Sequence, residues 1–165
     1  YILKNDLKIL AEDVQINIYK SAHISDKYIQ ADNLRFSTYR DCVNAKSKKD
    51  LDTLLNNTIN RFGPSHPSFN NLISECKLKL LAAEAGFSSI IKKNCGVVLN
   101  TSFASDDNCF SSLFDFITSF FLNQNLTFHF LPKTKNSLSF CLHLNSNEDK
   151  HTLLSAFLNK FKLLF

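Results

Sequence analysis

Three side chains that commonly bind metals, His129, Cys141 and His143, fall in two stretches that alternate apolar and polar residues. These stretches, 126–131 and 138–144, are predicted as strands with the three residues on their polar faces. Together the three side chains could ligate zinc. A hairpin that closes at residues 132–136 would place His129 near Ser139, however, so we expect exposed or half-buried side chains and no metal site.

Sequence motifs of catalysis are missing from the chain. Its three Gly lie far apart, which excludes a phosphate-binding glycine loop. It contains neither a His-Glu-x-x-His pattern nor a Gly-x-Ser-x-Gly turn. We therefore predict no catalytic, cofactor-binding or metal-binding residues, and no cofactor. A cysteine nucleophile stays an alternative, because it requires a Cys–His pair within hydrogen-bond reach, which a sequence does not reveal.

The composition is typical of an ordered globular domain. The chain has 165 residues, is 44% hydrophobic and contains 16 Phe, which is enough for a sizeable core. Its net charge of +4 is spread without a basic block, which argues against an autonomous nucleic-acid binder. The alternative function is a small nucleic-acid-binding α+β module that uses Lys77, Lys79, Lys92 and Lys93 with a surface Phe such as Phe116.

Cysteine usage and hydropathy predict a cytoplasmic protein. The five Cys are widely spaced and form no Cys-x-x-Cys pair, as expected for reduced thiols. No apolar run approaches the roughly 20 residues that span a bilayer, so we expect no membrane partner. The chain begins at Tyr1 and has no Met, which suggests a fragment of a longer protein.

Residues 61–67, Arg-Phe-Gly-Pro-Ser-His-Pro, form a predicted turn between two helices that we call the helix corner. Gly63 suits the left-handed residue that ends a helix, and Pro64 prevents its continuation. Ser65 or His66 can cap the next helix, and Pro67 suits its first turn. Phe62, Gly63 and Pro64 are therefore predicted as structural residues.

The hydrophobic pattern predicts an α+β fold over residues 13–165, as one domain after a lead-in at 1–12. A strand at 14–18 precedes three helices, at about 33–45, 47–62 and 67–85. Asp32 is the expected N-cap of the first helix, whose apolar positions include Phe36 and Val43. A strand-strand-helix unit then occurs twice, which predicts a mostly antiparallel sheet with helices packed on it.

Four segments, in order and spacing, resemble the C-terminal domain of bacterial transcription-repair coupling factor. They are Asn-Leu-Arg-Phe-Ser-Thr-Tyr-Arg at 33–40, Ala-Lys-Ser at 45–47 with Leu51, Asn-Arg-Phe-Gly-Pro at 60–64, and Leu-Lys-Leu-Leu-Ala-Ala-Glu-Ala-Gly-Phe at 78–87. The segment 23–29 looks like a degraded form of that family's Pro-Asp-Asp-Tyr-Ile. The resemblance covers about residues 14–92, and only the order of elements matches beyond that range.

The resemblance implies a non-catalytic, regulatory C-terminal domain. The parent would be a cytoplasmic ATP-dependent DNA translocase that displaces stalled RNA polymerase and recruits the excision-repair protein UvrA. This domain would pack on the parent's UvrB-like N-terminal module and cover the UvrA-binding surface until the motor engages. DNA would be bound by the parent and not by this domain.

The resemblance also implies interdomain contacts on the helix that ends at the corner. The family commonly has carboxylates there that contact basic residues of the N-terminal module. The matching positions are Asn57, or its neighbour Thr58, and Asn60, while Arg61 is kept. An ion-pair contact at Asn57 and Asn60 is therefore in doubt, although amides can still form hydrogen bonds.

Overall fold

The fold is seen in a computed structural model that describes residues 9–94, 96–102, 107–132, 137–144 and 149–164, with only the backbone at 107–110. After a short 3-10 turn at Ala11–Asp13, the described helices are α1 (Asp32–Asn44), α2 (Lys48–Phe62), α3 (Pro67–Ala85), α4 (Asp107–Asn123) and α5 (Lys150–Leu164). The strands are β1 (Gln15–Asn17), β2 (Phe87–Lys93), β3 (Gly96–Thr101), β4 (Thr127–Phe130) and β5 (Ser139–His143). The sequence predicts Asp106 or Asp107 as the cap of α4 and a start near Glu148 for α5. Asp106 and Glu148 lie outside the described residues, and Asp107 is the first residue of α4.

The five strands form one sheet in the order β1-β2-β3-β5-β4. Strand β1 pairs parallel to β2, and the other neighbours are antiparallel. This arrangement confirms the predicted α+β fold with a mostly antiparallel sheet. Strand β4 lies at an edge, so its outer backbone groups have no neighbouring strand within the described sheet.

Contact clustering divides the chain into two compact units. We call Tyr1–Ile18 with Leu81–Phe165 the sheet unit, and Tyr19–Leu80 the helical unit. The sheet unit contains every described strand together with α4 and α5, and the helical unit contains α1, α2 and most of α3. The division into a lead-in at 1–12 and one domain at 13–165 stays a prediction.

Phenylalanine rings form the core of the sheet unit. Alternation along β5 places Phe140 and Leu142 on the face that α4 and α5 cover. The ring of Phe157 in α5 stacks on Phe121 of α4 at 4.9 Å between centroids and meets Phe140 at 5.9 Å. Phe157 therefore ties both helices to the sheet through aromatic contacts.

Helix α1 differs from its predicted face. Residues Leu34, Tyr39 and Cys42 pack into the core of the helical unit as expected. Phe36 and Val43 are 63% and 73% exposed, so the prediction that they are buried was wrong. These two residues project from the side of the helix opposite Leu34, Thr38 and Cys42, which recur every four positions along the buried face.

The predicted N-cap of α1 was also wrong. Ala31 occupies the N-cap without a side-chain hydrogen bond, and Asp32 is the first helical residue. The Asp32 carboxylate instead forms an ion pair with Arg35, one turn along the helix. Separately, among the described residues no helix is both long and apolar enough to cross a membrane.

We expect Phe157→Ala to destabilise the sheet unit by about 3–5 kcal/mol, because it removes a buried ring and leaves a cavity. Leu163→Ala is the matched control, since Leu163 lies in the same helix and is 70% exposed. Urea denaturation of both variants measures the difference. Equal losses of stability would show that the aromatic cluster does not hold α5 on the sheet.

Candidate functional site

Helix α2 carries the predicted interdomain residues, and its start is fixed by a reciprocal cap. The Ser47 hydroxyl accepts a hydrogen bond from the Asp50 N–H at 3.2 Å, and the Asp50 carboxylate accepts one from the Ser47 N–H at 2.9 Å. The hydrogen bond with the Ser47 side chain, followed by backbone N–H groups, lowers the pKa of Asp50. A Ser followed three residues later by an acidic residue predicts this capping box, and the structure confirms it.

The two faces of α2 differ sharply. Leu51 is fully buried in the core of the helical unit, which also contains Ile24, Ile29, Cys42, Phe69 and Ile73. Asn57, Asn60 and Arg61 are exposed on another face, where positions three and four residues apart are neighbours. These three side chains are not part of the helical unit's core, and their interdomain role stays a prediction.

Thr58, the alternative to Asn57, is a structural residue. It is buried, and its hydroxyl donates to the Leu54 carbonyl at 2.7 Å. By contrast, the side-chain amides of Asn57 and Asn60 have no hydrogen-bond partner among the described residues. Asn57 is therefore the member of this pair that can contact another surface.

A cleft of about 190 Å³ runs between α1 and α2. Asn57 and Arg61 line it from α2, and Ser37 and Asp41 line it from α1, whereas Asn60 lies outside it. The Arg61 guanidinium lies 5.2 Å from the centroid of the Phe62 ring and forms no ion pair with any described residue. The cleft thus offers a cation at Arg61, a carboxylate at Asp41 and neutral hydrogen-bonding groups at Asn57 and Ser37. This set suits the binding of a polar protein segment.

The helix corner sets where α2 ends. Gly63 has φ 87° and ψ −169°, and its N–H donates to the Ile59 carbonyl at 2.8 Å. The positive φ confirms the prediction, but this ψ is extended rather than left-handed helical, a region that is essentially restricted to Gly. Phe62 is half-buried against Tyr28, with ring centroids 6.3 Å apart, and Pro64 follows Gly63 outside the helix.

The far side of the corner begins α3. The His66 ring nitrogen Nδ1 accepts a hydrogen bond from the Ser68 N–H at 3.3 Å, and Pro67 is the first helical residue. Of the two predicted caps, His66 therefore takes this role. The Ser65 hydroxyl instead bonds the Asn70 side chain at 2.7 Å.

Tyr28 stabilises the helix corner by a hydrogen bond, a role that no sequence pattern predicted. Its hydroxyl donates to the Gly63 carbonyl at 2.9 Å, and burial raises its pKa. Two residues of α1 in turn fix the irregular segment that carries Tyr28. The Tyr39 hydroxyl accepts from the Ile24 N–H at 2.7 Å, and Arg35 donates to the Ile29 carbonyl at 3.0 Å. The segment has no periodicity, so only its aromatic residue could have signalled the contact.

The residues of the nucleic-acid alternative are partly engaged elsewhere. Lys77 forms an ion pair with Asp52 of α2, and this hydrogen bond lowers the pKa of Asp52. Phe116, the candidate surface contact, is half-buried and stacks on Phe157 at 5.9 Å. Both observations reduce the support for a nucleic-acid surface built on these side chains.

Burial argues against Cys42 and Cys141 as nucleophiles. The interaction with Cys76, followed by burial, raises the pKa of the Cys42 thiol. The interaction with Cys42 lowers the pKa of the Cys76 thiol, although burial opposes this shift. Cys141 is fully buried, so the expectation of an exposed or half-buried side chain was wrong, although alternation does place it on the same face as His143. A buried thiol is out of reach of a substrate in solution.

The register of β4 and β5 also differs from the expectation. His129 lies opposite Cys141, not Ser139, and the Leu138 backbone bonds Thr101 of β3. His129, Cys141 and His143 consequently have their ligand atoms within 4.8 Å of one another. The observed register brings together three side chains that the expected register would have kept apart.

Comparison with known proteins shows which family this chain belongs to. The TRCF domain family model matches residues 18–110. Transcription-repair-coupling factors of Rickettsia prowazekii and Mycobacterium tuberculosis are 28% and 25% identical over 100 and 87 residues, which is 59% and 53% of this chain. The crystal structure of the C-terminal domain of transcription-repair coupling factor superposes with a TM-score of 0.69 at 13% identity, covering 92% of each chain.

The α+β architecture is thus shared with a known repair-factor domain. Because the family match extends over more than half of its length, the chain belongs to the TRCF domain family. The aligned regions make up only 9% and 7% of the two curated relatives. The predicted resemblance is confirmed.

Gly63→Ala should destabilise the helical unit by about 1–2 kcal/mol, because alanine resists this backbone conformation. A Cβ at Gly63 meets no atom within 4 Å, so the cost arises from the backbone alone. Asn56→Ala, at an exposed position of α2, the helix that Gly63 ends, is the control. Thermal unfolding that is identical for both variants would mean that the corner carries no conformational constraint.

Tyr28→Phe removes the hydroxyl that bonds Gly63 and keeps the ring. We expect a loss of about 0.5–1.5 kcal/mol, the usual net contribution of a hydrogen bond. In a double-mutant cycle with Gly63→Ala, the double mutant should lose less stability than the sum of the two single losses, because both changes loosen the same turn. Strictly additive losses would show that Tyr28 and Gly63 act independently.

Proposed function

We propose that this chain is a regulatory, autoinhibitory domain of a transcription-repair coupling factor. In this proposal the parent is an ATP-dependent DNA translocase that displaces stalled RNA polymerase and recruits nucleotide excision repair through UvrA. The domain packs on the parent's UvrB-like N-terminal module and keeps the UvrA-binding surface covered. Membership of the TRCF domain family supports the choice of parent.

The observation that carries the proposal is the exposed face of α2. Asn57, Asn60 and Arg61 project from a helix whose other face is buried and whose end is fixed by Gly63. A rigid helix that presents side chains with unused hydrogen-bonding groups is pre-organised for binding, because little conformational freedom is lost on contact.

The chemistry of this face limits the contact. With amides at Asn57 and Asn60, the partner surface meets neutral donors and acceptors, and the positive charge comes from Arg61. Asp41, across the cleft, supplies a carboxylate that could receive a basic side chain of the partner. The closed state therefore depends on hydrogen bonds and one cation, which yields a modest and reversible association.

Arg61→Ala tests this proposal. In the isolated chain we expect stability to change by less than about 0.5 kcal/mol, because Arg61 is exposed. In the full-length parent the same change should raise basal UvrA binding several-fold, since losing a contact of about 1–3 kcal/mol shifts the closed–open equilibrium. Binding is measured by titrating labelled UvrA.

Lys49→Ala, which removes an exposed cation from the start of the same helix, is the control and should change neither property. If Arg61→Ala unfolds the isolated chain, Arg61 is a structural residue of the corner. If it alters neither stability nor UvrA binding, the interdomain contact does not use this face.

The proposal also predicts that the isolated chain neither hydrolyses ATP nor moves along DNA. The physical reason is the lack of a glycine loop that could cradle a triphosphate in a chain with three Gly. An ATPase assay with and without DNA checks this expectation. Turnover that copurifies with the chain would overturn the non-catalytic assignment.

A further inference from the structure

The sheet unit contains a cluster of metal-ligating side chains on the edge pair β4–β5. His129 pairs directly across from Cys141, and Thr127 pairs across from His143. Because alternate residues share one face of a strand, the two histidines and the cysteine project to the same side of the sheet. The cluster is thus set by strand register and not by flexible loops.

The distances within the cluster fit a metal site. Nδ1 of His129 lies 3.0 Å from Nε2 of His143, and the three ligand atoms lie within 4.8 Å of one another. Zinc bonds of about 2.0–2.3 Å in a tetrahedron place ligand atoms roughly 3.3–3.7 Å apart. The observed separations bracket this range, so small side-chain rotations suffice to close the site.

The surroundings of the sulfur favour this geometry. Cys141 is fully buried, whereas both histidines are exposed. A Cβ placed on Gly96 would lie 3.3 Å from the Cys141 sulfur and 2.3 Å from the Leu142 carbonyl oxygen. Gly96 therefore lets β3 approach β5 closely beside the sulfur, which leaves the open side of the cluster toward the histidines and solvent.

We propose that His129, Cys141 and His143 bind one zinc ion, with water as the fourth ligand. A thiolate and two imidazoles form a donor set that suits zinc. The two imidazole nitrogens now share one proton in a hydrogen bond. On binding, that proton moves to the other nitrogen of the same ring, and the thiol releases its proton to solvent.

The bound ion links the edge strand β4 to β5, because its ligands come from both strands. Strand β4 has four residues and a neighbour on one side only within the described sheet. Zinc that binds only the folded state stabilises it by RT ln(1 + c/Kd), where c is the free zinc concentration and Kd the dissociation constant. Zinc should therefore raise the unfolding temperature of the sheet unit and protect the edge strand from pairing with other chains.

Cobalt(II), a spectroscopic substitute for zinc, tests the site in the purified chain. We expect one equivalent to bind, with tetrahedral d–d absorption and a thiolate-to-cobalt charge-transfer band, and zinc should displace it. Cys141→Ser should remove the charge-transfer band. His129→Gln and His143→Gln should each weaken cobalt binding by more than about tenfold. Even the loss of a residue that only hydrogen-bonds to a metal ligand lowers metal affinity by about 10–100-fold.

Cys76→Ser and His23→Gln are matched controls that should keep wild-type binding. If Cys141→Ser fails to fold, the two histidine variants decide the matter, because both side chains are exposed. The proposal is overturned if cobalt gives no thiolate band at one equivalent. It is equally overturned if the His129 and His143 variants bind as tightly as the controls.

Discussion

The backbone of Gly63 is the constraint on which the helical unit depends. A positive φ with an extended ψ ends α2 at Phe62, and the Ile59 carbonyl and the Tyr28 hydroxyl hold that geometry from both sides. The helix period decides which α2 residues face the core. Leu51 then enters the core, while Asn57, Asn60 and Arg61 face solvent.

Local chemistry made much of this fold predictable. Capping residues, helix stops and the hydrophobic period act over three or four neighbours, so Ser47, Gly63 and Pro67 marked their helices correctly. Strand alternation likewise located the β-strands. For the candidate site, the sequence indicated which residues lie on the exposed face of α2, because that face follows from helix periodicity.

Contacts between residues far apart in the sequence determine the features of the fold that the sequence did not predict. The Leu138 backbone bonds Thr101 of β3, a contact between residues 37 positions apart that no local pattern indicates. Tyr28 reaches Gly63 across 35 positions from a segment without periodicity. Cys141 is polar-facing by alternation and yet buried, since burial in a five-stranded sheet depends on its neighbours.

Chemical modification of Arg61 tests the central claim, that the exposed face of α2 is an interdomain surface. Phenylglyoxal reacts with accessible arginines, and peptide mass spectrometry reports each residue separately; Arg40, exposed on α1, serves as the internal reference. The account predicts rapid modification of Arg61 in the isolated chain and slow modification in the full-length resting parent, with recovery once UvrA binds. Equal rates for Arg61 in the isolated chain and in the resting parent would contradict it.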